Sequence, residues 1–277
     1  MNAGMRAVID ALDVVDAPVN FFLRDDDAGW HDEHLFALLD CTARAGVPID
    51  LAVIPQATGV RLAAELSARF DDTNSLIGLH QHGNSHENHE TTGRKCEFGP
   101  ARDLATQRHD LIAGRERLRT LFGARLDDFF TPPWNRCSVE TPSLLAELGY
   151  TGLSRDASAP AQTALTELRV DVDWCKQQRL ATERGETTGD AIACELAHHI
   201  KSGTTVGLML HHGDMSDVEL GWLEAWLQRW SHHPNARWQP MRALFGRRSN
   251  ARAADAYSIA GEITNSSTGA ALRAFSA

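Results

Sequence analysis

The chain has 277 residues, with 27 basic and 37 acidic side chains, 13 histidines and a formal net charge of −10. It is long enough to bury a sizeable core without disulfide staples. Its 43% hydrophobic and 23% charged residues fit an ordinary globular protein, and its acidity argues against nucleic acid or anionic membrane as partner, since both require a basic face.

In chain order, short apolar segments alternate with longer amphipathic ones, the pattern of parallel strands covered by helices. A strand predicted at 20–24 runs into Arg24-Asp25-Asp26-Asp27. A helix at 32–45 follows, opened by Asp32 and closed by Gly46. Next come a strand at 48–54, a helix at 58–70 and a strand at 75–80 that leads into His80-Gln81-His82-Gly83-Asn84-Ser85-His86. A helix at 101–122 precedes a strand at 127–131, which ends in Thr131-Pro132-Pro133-Trp134-Asn135-Arg136. After a helix at 139–148 come strands at 150–154 and 168–174, the latter closing on Asp171-Val172-Asp173-Trp174. A helix at 189–202, a strand at 204–210 ending in His211-His212, and a helix at 217–230 complete the series. Seven strands and six helices without a glycine-rich dinucleotide fingerprint predict an α/β fold, a closed or nearly closed β/α barrel, with an open doubly wound sheet as the alternative. Residues 1–246 are expected to form that barrel, and 247–277, rich in Ala, Ser, Gly and Thr, a poorly ordered tail.

Asp10, Asp13 and Asp16 interrupt the stretch where a secretory signal needs an unbroken apolar run, so a cytoplasmic location is expected. No apolar run approaches the roughly 20 residues needed to span a bilayer. The five cysteines are scattered and lack any CxxC pairing, so they are expected to be buried fillers.

Functional groups of such barrels gather where strands end. Three adjacent carboxylates at 25–27 repel one another, and they stay ionised together only with a cation or strong donors among them. The bland alternative is a solvated turn. His82 and His86, four residues apart, can present two imidazoles to one divalent ion. Trp134 offers a flat wall for a sugar ring. His211, after the last strand, suits a general acid or a further ligand.

Acidic turn, HxxxH, Pro-Pro-aromatic, Asp-Trp and final His occur in that order, and the set resembles the polysaccharide deacetylase (carbohydrate esterase) family. Its motifs run TFDDG, HSxxH, RxPY, DxxDW and LxH along a distorted (β/α)7 barrel of parallel strands, TIM-barrel-like. The resemblance covers roughly residues 20–240. It implies Asp26 as catalytic base, Asp27, His82 and His86 as ligands of one divalent metal, with zinc favoured, and His211 as acid. It places Trp134, Asp173 and Trp174 against the substrate. Two assignments stay open: Asp25/Asp26 competes with Asp26/Asp27, and His212 with His211. Where the family has Arg this chain has Thr131, and where it has Thr this chain has Arg24, so Arg24 or Arg136 is expected to hold the base carboxylate. The implied reaction is removal of an acetyl or related acyl group from a small-molecule or oligosaccharide substrate.

Rival readings are an amidohydrolase or phosphoesterase built on the HxH of His80-Gln81-His82, a catalytically silent metal-containing glycan-binding barrel, and a two-carboxylate glycosidase using Asp26 with Asp173 or Asp214. Trp222, Trp226 and Trp230 read as a packing stripe. Asn88 and His89 are candidates for orienting the ligand histidines.

Overall fold

The computed structural model describes residues 3–70 and 76–246, and the expected tail at 247–277 lies outside the described residues. Its central strand β1 (Val19–Ala28) pairs with β2 (Ile49–Val53) on one side and β8 (Thr205–Leu210) on the other. Both are buried on both faces, which is why they read as nearly continuous apolar runs. The remaining strands are β3 (Ile77–His82), β4 (Leu126–Thr131), β5 (Gly152–Asp156), β6 (Thr166–Val170), β7 (Val172–Asp173) and a short β9 (Ala236–Trp238) beside β1. All pairs are parallel, in the order β6-β5-β4-β3-β2-β1-β8-β7.

The segment predicted as one strand at 168–174 is two short strands separated by Asp171. Its first half, β6, pairs with β5, and its second half, β7, pairs with β8 at the far end of that order. Asp171 spans the change: its N–H donates to the Gly207 carbonyl (2.9 Å), and its Oδ2 accepts from the Gly207 N–H (2.8 Å). One continuous stretch of chain therefore belongs to both edges and brings the sheet round into a nearly closed, TIM-barrel-like α/β barrel.

Helices α1 (Ala3–Asp13), α2 (Asp32–Ala45), α3 (Val60–Ala68), α4 (Leu104–Phe122), α5 (Thr141–Glu147), α6 (Trp174–Arg184), α7 (Thr188–Ser202) and α8 (Asp217–Trp230) surround it. On α8 the predicted stripe holds at Trp226 and Trp230, which are buried, while Trp222 is half-buried; rings run Trp174, Trp226, Trp230, Trp238 with centroids 5.7–6.2 Å apart. Inside the barrel, Phe22, Phe129, Leu168 and Met209 pack on Met241, Leu244 and Phe245, which plug the end where the strands begin. The opposite end is left for chemistry. No helix among the described residues is long and apolar enough to cross a membrane. All five cysteines are free, and the expectation that they are buried fillers is corrected by Cys194, which is exposed on α7.

Candidate metal centre and catalytic cleft

Strands β1 and β2 run in step at Leu23/Ile49, Arg24/Asp50 and Asp25/Leu51, and the next pair is Ala28/Val53. Three residues on β1 thus match two on β2, a bulge of the kind that re-aims side chains beside functional sites. Asp27 sits in it at φ 71°, a left-handed conformation that Asp tolerates better than most residues. Strict alternation is broken, so the adjacent Asp26 and Asp27 both come near His82 while Asp25 pairs with His212.

Asp27 Oδ1 lies 3.2 Å from His82 Nε2 and 3.1 Å from His86 Nε2. The other ring nitrogen of His82, Nδ1, donates to the Thr131 carbonyl at 2.9 Å, which leaves the Nε2 lone pair turned toward Asp27. Asp27 Oδ1 is itself buried without a hydrogen-bond partner. Two imidazoles and an orphaned carboxylate oxygen, all within 4.8 Å of one another, form a donor set that suits zinc or another first-row divalent ion. Burial alone would raise the Asp27 carboxyl; with no ion between them, protonated imidazoles donating to it would instead hold it well below the usual carboxylate range.

The turn carrying His86 is fastened from beneath. Glu97, fully buried, accepts from the Asn84 N–H, the Ser85 N–H and the Ser85 hydroxyl. Gly83 adopts φ 61°, and a Cβ there would stand 2.1 Å from Glu97 Oε2 and 2.6 Å from Pro133 Cγ, so the chain turns where no side chain fits. Glu97 is absent from the sequence expectations, because it lies eleven residues beyond His86 and belongs to no spacing pattern.

Asp26 is 1% exposed and is gripped by Arg24, with Nε to Oδ1 at 2.8 Å and Nη2 to Oδ2 at 3.0 Å. Burial pushes the Asp26 carboxyl up, but Arg24 and the nearby imidazoles outweigh it and hold it below its ordinary value. Arg24 is fully buried and also donates to Ser154 Oγ (2.8 Å) and Asn135 Oδ1 (2.6 Å). Of the two guanidiniums expected near the base, Arg24 reaches it. Arg136 does not: its Nη1 donates to the Lys95 carbonyl at 3.0 Å.

Asp25 accepts from the His212 N–H (3.0 Å) and from His212 Nδ1 (2.7 Å), while His212 Nε2 donates to the Trp30 carbonyl (2.7 Å). With the Asp25 carboxylate at one nitrogen and the Trp30 carbonyl at the other, the His212 ring is held as an imidazolium. Burial would pull it down, yet Asp25 and the carbonyl push it up to about 9. This buried pair ties β1 to the turn after β8. His211, half-buried, lines a cleft of about 370 Å³ together with Trp134, Asn135, Asp173 and Met209. Trp134 borders that cleft with its ring 4.4 Å from His86.

Trp174 requires a correction. It is fully buried against Trp226, and its Nε1 donates to Glu219 Oε1 at 3.4 Å, so no substrate can touch it. Its neighbour Asp173 caps α6 by accepting from the Lys176 N–H. His80 lies below the centre with Nε2 2.8 Å from Thr131 Oγ1, and burial together with Arg24 pushes its pKa down to about 3. It does not join the carboxylate and imidazole cluster, so among the described residues the HxH rival lacks its second ligand group. Asn88 Oδ1 accepts from the N–H groups of Glu90 and Cys96 and shapes its own loop, with no bond to a ligand histidine.

No protein-family model and no curated protein matches the sequence. Solved structures do match the fold. One, from Mycobacterium smegmatis and assigned as a polysaccharide deacetylase, aligns with TM-score 0.65 at 16% identity over 86% of this chain and 93% of its own. A family 4 acetyl xylan esterase from Clostridium thermocellum in complex with a cobalt ion aligns with TM-score 0.52 at 14% identity, over 82% of this chain and 90% of its own. A family 4 carbohydrate esterase pseudoenzyme from Bacillus anthracis aligns with TM-score 0.51 at 12% identity, over 80% and 67%. The barrel is thus the one used by polysaccharide deacetylases and family 4 carbohydrate esterases.

Proposed function

We propose that the protein is a metal-dependent hydrolase that removes an acetyl or related acyl group from an N-acetylated sugar or similar substrate, with residues 1–246 as its catalytic barrel. The observation that carries this reading is the orphaned Asp27 Oδ1 between the Nε2 atoms of His82 and His86, beside a second carboxylate, Asp26, kept ionised by Arg24. Bound by Asp27, His82 and His86, a divalent ion, zinc by preference, would polarise the scissile carbonyl and acidify a water. Asp26 takes the proton of the attacking water, and Arg24 keeps it available as a base. His211 supplies a proton to the departing nitrogen from the cleft side, since His212 is committed to Asp25. Trp134 gives the sugar ring an apolar face on the same wall. That one structural neighbour is a pseudoenzyme makes turnover, and not metal content alone, the deciding measurement.

The test is elemental analysis of the purified protein with acetate release measured on a panel of N- and O-acetylated sugars. Asp26→Asn is expected to keep the metal and abolish turnover, whereas His82→Ala loses both. Full activity in chelator-treated, metal-free protein overturns the reading, and so does metal without turnover on every member of the panel.

A further inference from the structure

We propose a second cation site at the rim of the same cleft, formed by Asp173, Cys175 and His211, that takes a borderline-soft divalent ion such as zinc or cobalt. Ligand atoms of the three side chains lie within 4.8 Å of one another. Cys175 Sγ is 3.6 Å from His211 Nδ1. Zinc bonds of about 2.3 Å to sulfur and about 2.0–2.1 Å to nitrogen, opened to a tetrahedral angle, require a sulfur-to-nitrogen separation of about 3.6 Å. The pair is therefore already at the spacing of one edge of a zinc tetrahedron.

The other edges have candidates as well. Asp173 uses Oδ1 to cap α6 at Lys176, and its second oxygen is left for the ion. Asp214 Oδ2 stands 3.6 Å from Cys175 Sγ and can supply a fourth donor or hold a bound water. All three principal ligands are half-buried, open enough for an ion to enter and screened enough to hold it.

The donor set differs from that of the first centre in one respect that can be read directly: it contains sulfur. Coordination exchanges the thiol proton for the ion, so one proton goes to solvent for each cation bound at Cys175. Occupation also claims the His211 ring, so excess zinc inhibits turnover. That consequence rests on the proposed function, whereas the site itself does not.

The experiment titrates chelator-stripped protein with Co(II) and follows bound metal per chain together with the near-ultraviolet thiolate-to-cobalt band. The wild type is expected to bind two equivalents, with the band. Cys175→Ala is expected to bind one without the band, and Cys194→Ala, which removes the exposed thiol on α7, to keep both. His82→Ala empties the first centre and should retain the band at one equivalent, so the two sites fail separately. Asp173→Asn keeps the helix-cap acceptor and removes the charge, and it should shift the titration midpoint of the band by about tenfold or more. Absence of the band from the wild type, its persistence in Cys175→Ala, or equal stoichiometry in those two proteins overturns the proposal.

Discussion

Arg24→Met keeps most of the volume of a fully buried side chain and deletes its charge. Asp26, 1% exposed, would then be an unpaired carboxylate inside the barrel, and breaking a buried pair from one side costs about 3–5 kcal/mol. Asn135 Oδ1 and Ser154 Oγ lose a donor as well, each worth about 1 kcal/mol. At about 2–4 °C per kcal/mol for a domain of this size, Tm should fall by about 10–30 °C. Adding Asp26→Asn removes the stranded charge, so the double variant should be more stable than Arg24→Met by about 2 kcal/mol. Urea denaturation of the wild type, both single variants and the double variant reads this cycle. A loss below about 1 kcal/mol for Arg24→Met, or single losses that simply add, would refute the view that Arg24 exists to hold Asp26. The family pattern places Arg where this chain has Thr131, so Arg24→Thr combined with Thr131→Arg should recover activity that Arg24→Thr alone has lost.

The remaining expectations concern the closed end and the cleft wall. Asp50 is buried, with Oδ1 lacking a partner and Oδ2 accepting from the Met241 N–H, and burial, with Asp127 adding, pushes its pKa up to about 7. Because the folded value lies above the unfolded one, its stability contribution is complete below about pH 4 and is lost as pH rises toward 7, by at most about 4 kcal/mol. Asp50→Asn should therefore raise Tm at pH 8 and leave it nearly unchanged at pH 4; a gap independent of pH contradicts this. Trp134→Phe keeps a ring against His86 but shortens the sugar platform, so KM should rise about two- to tenfold with metal content unchanged, and an unaltered KM removes Trp134 from substrate binding.

Most of the barrel was legible in the sequence because buried parallel strands write continuous apolar runs, as at 48–54 and 204–210. The helix α6 was not. Only Trp174, Gln177 and Ala181 face inward on it, so its apolar stripe is too narrow to mark a period. The same burial misled the reading of Trp174, since a motif shows adjacency to Asp173 but not which side of the rim an indole takes. The choice between Asp25 and Asp27 was likewise closed to strand alternation. It depends on the bulge after Asp25, a property of the pairing with β2 and not of β1 alone. Glu97 illustrates the wider limit: a carboxylate that acts on the backbone N–H groups of Ser85 and Asn84, 12 and 13 residues away in sequence, leaves no spacing to find.

The change of partner at Asp171 also divides the barrel mechanically. The cleft wall carrying Val170, Asp171, Asp173 and His211 lies along that junction, where two edges are joined by a hinge of single-residue width. Asp27 and His82 ride on β1 and β3, each flanked by paired strands on both sides, and His86 sits on the turn that Glu97 fastens. Widening of the cleft at that junction would therefore leave the strands that carry Asp27 and His82 in place. Amide exchange should be faster for Asp171 and Val172 than for Leu23 and Leu79, which makes the junction a place where substrate range can evolve without disturbing the chemistry.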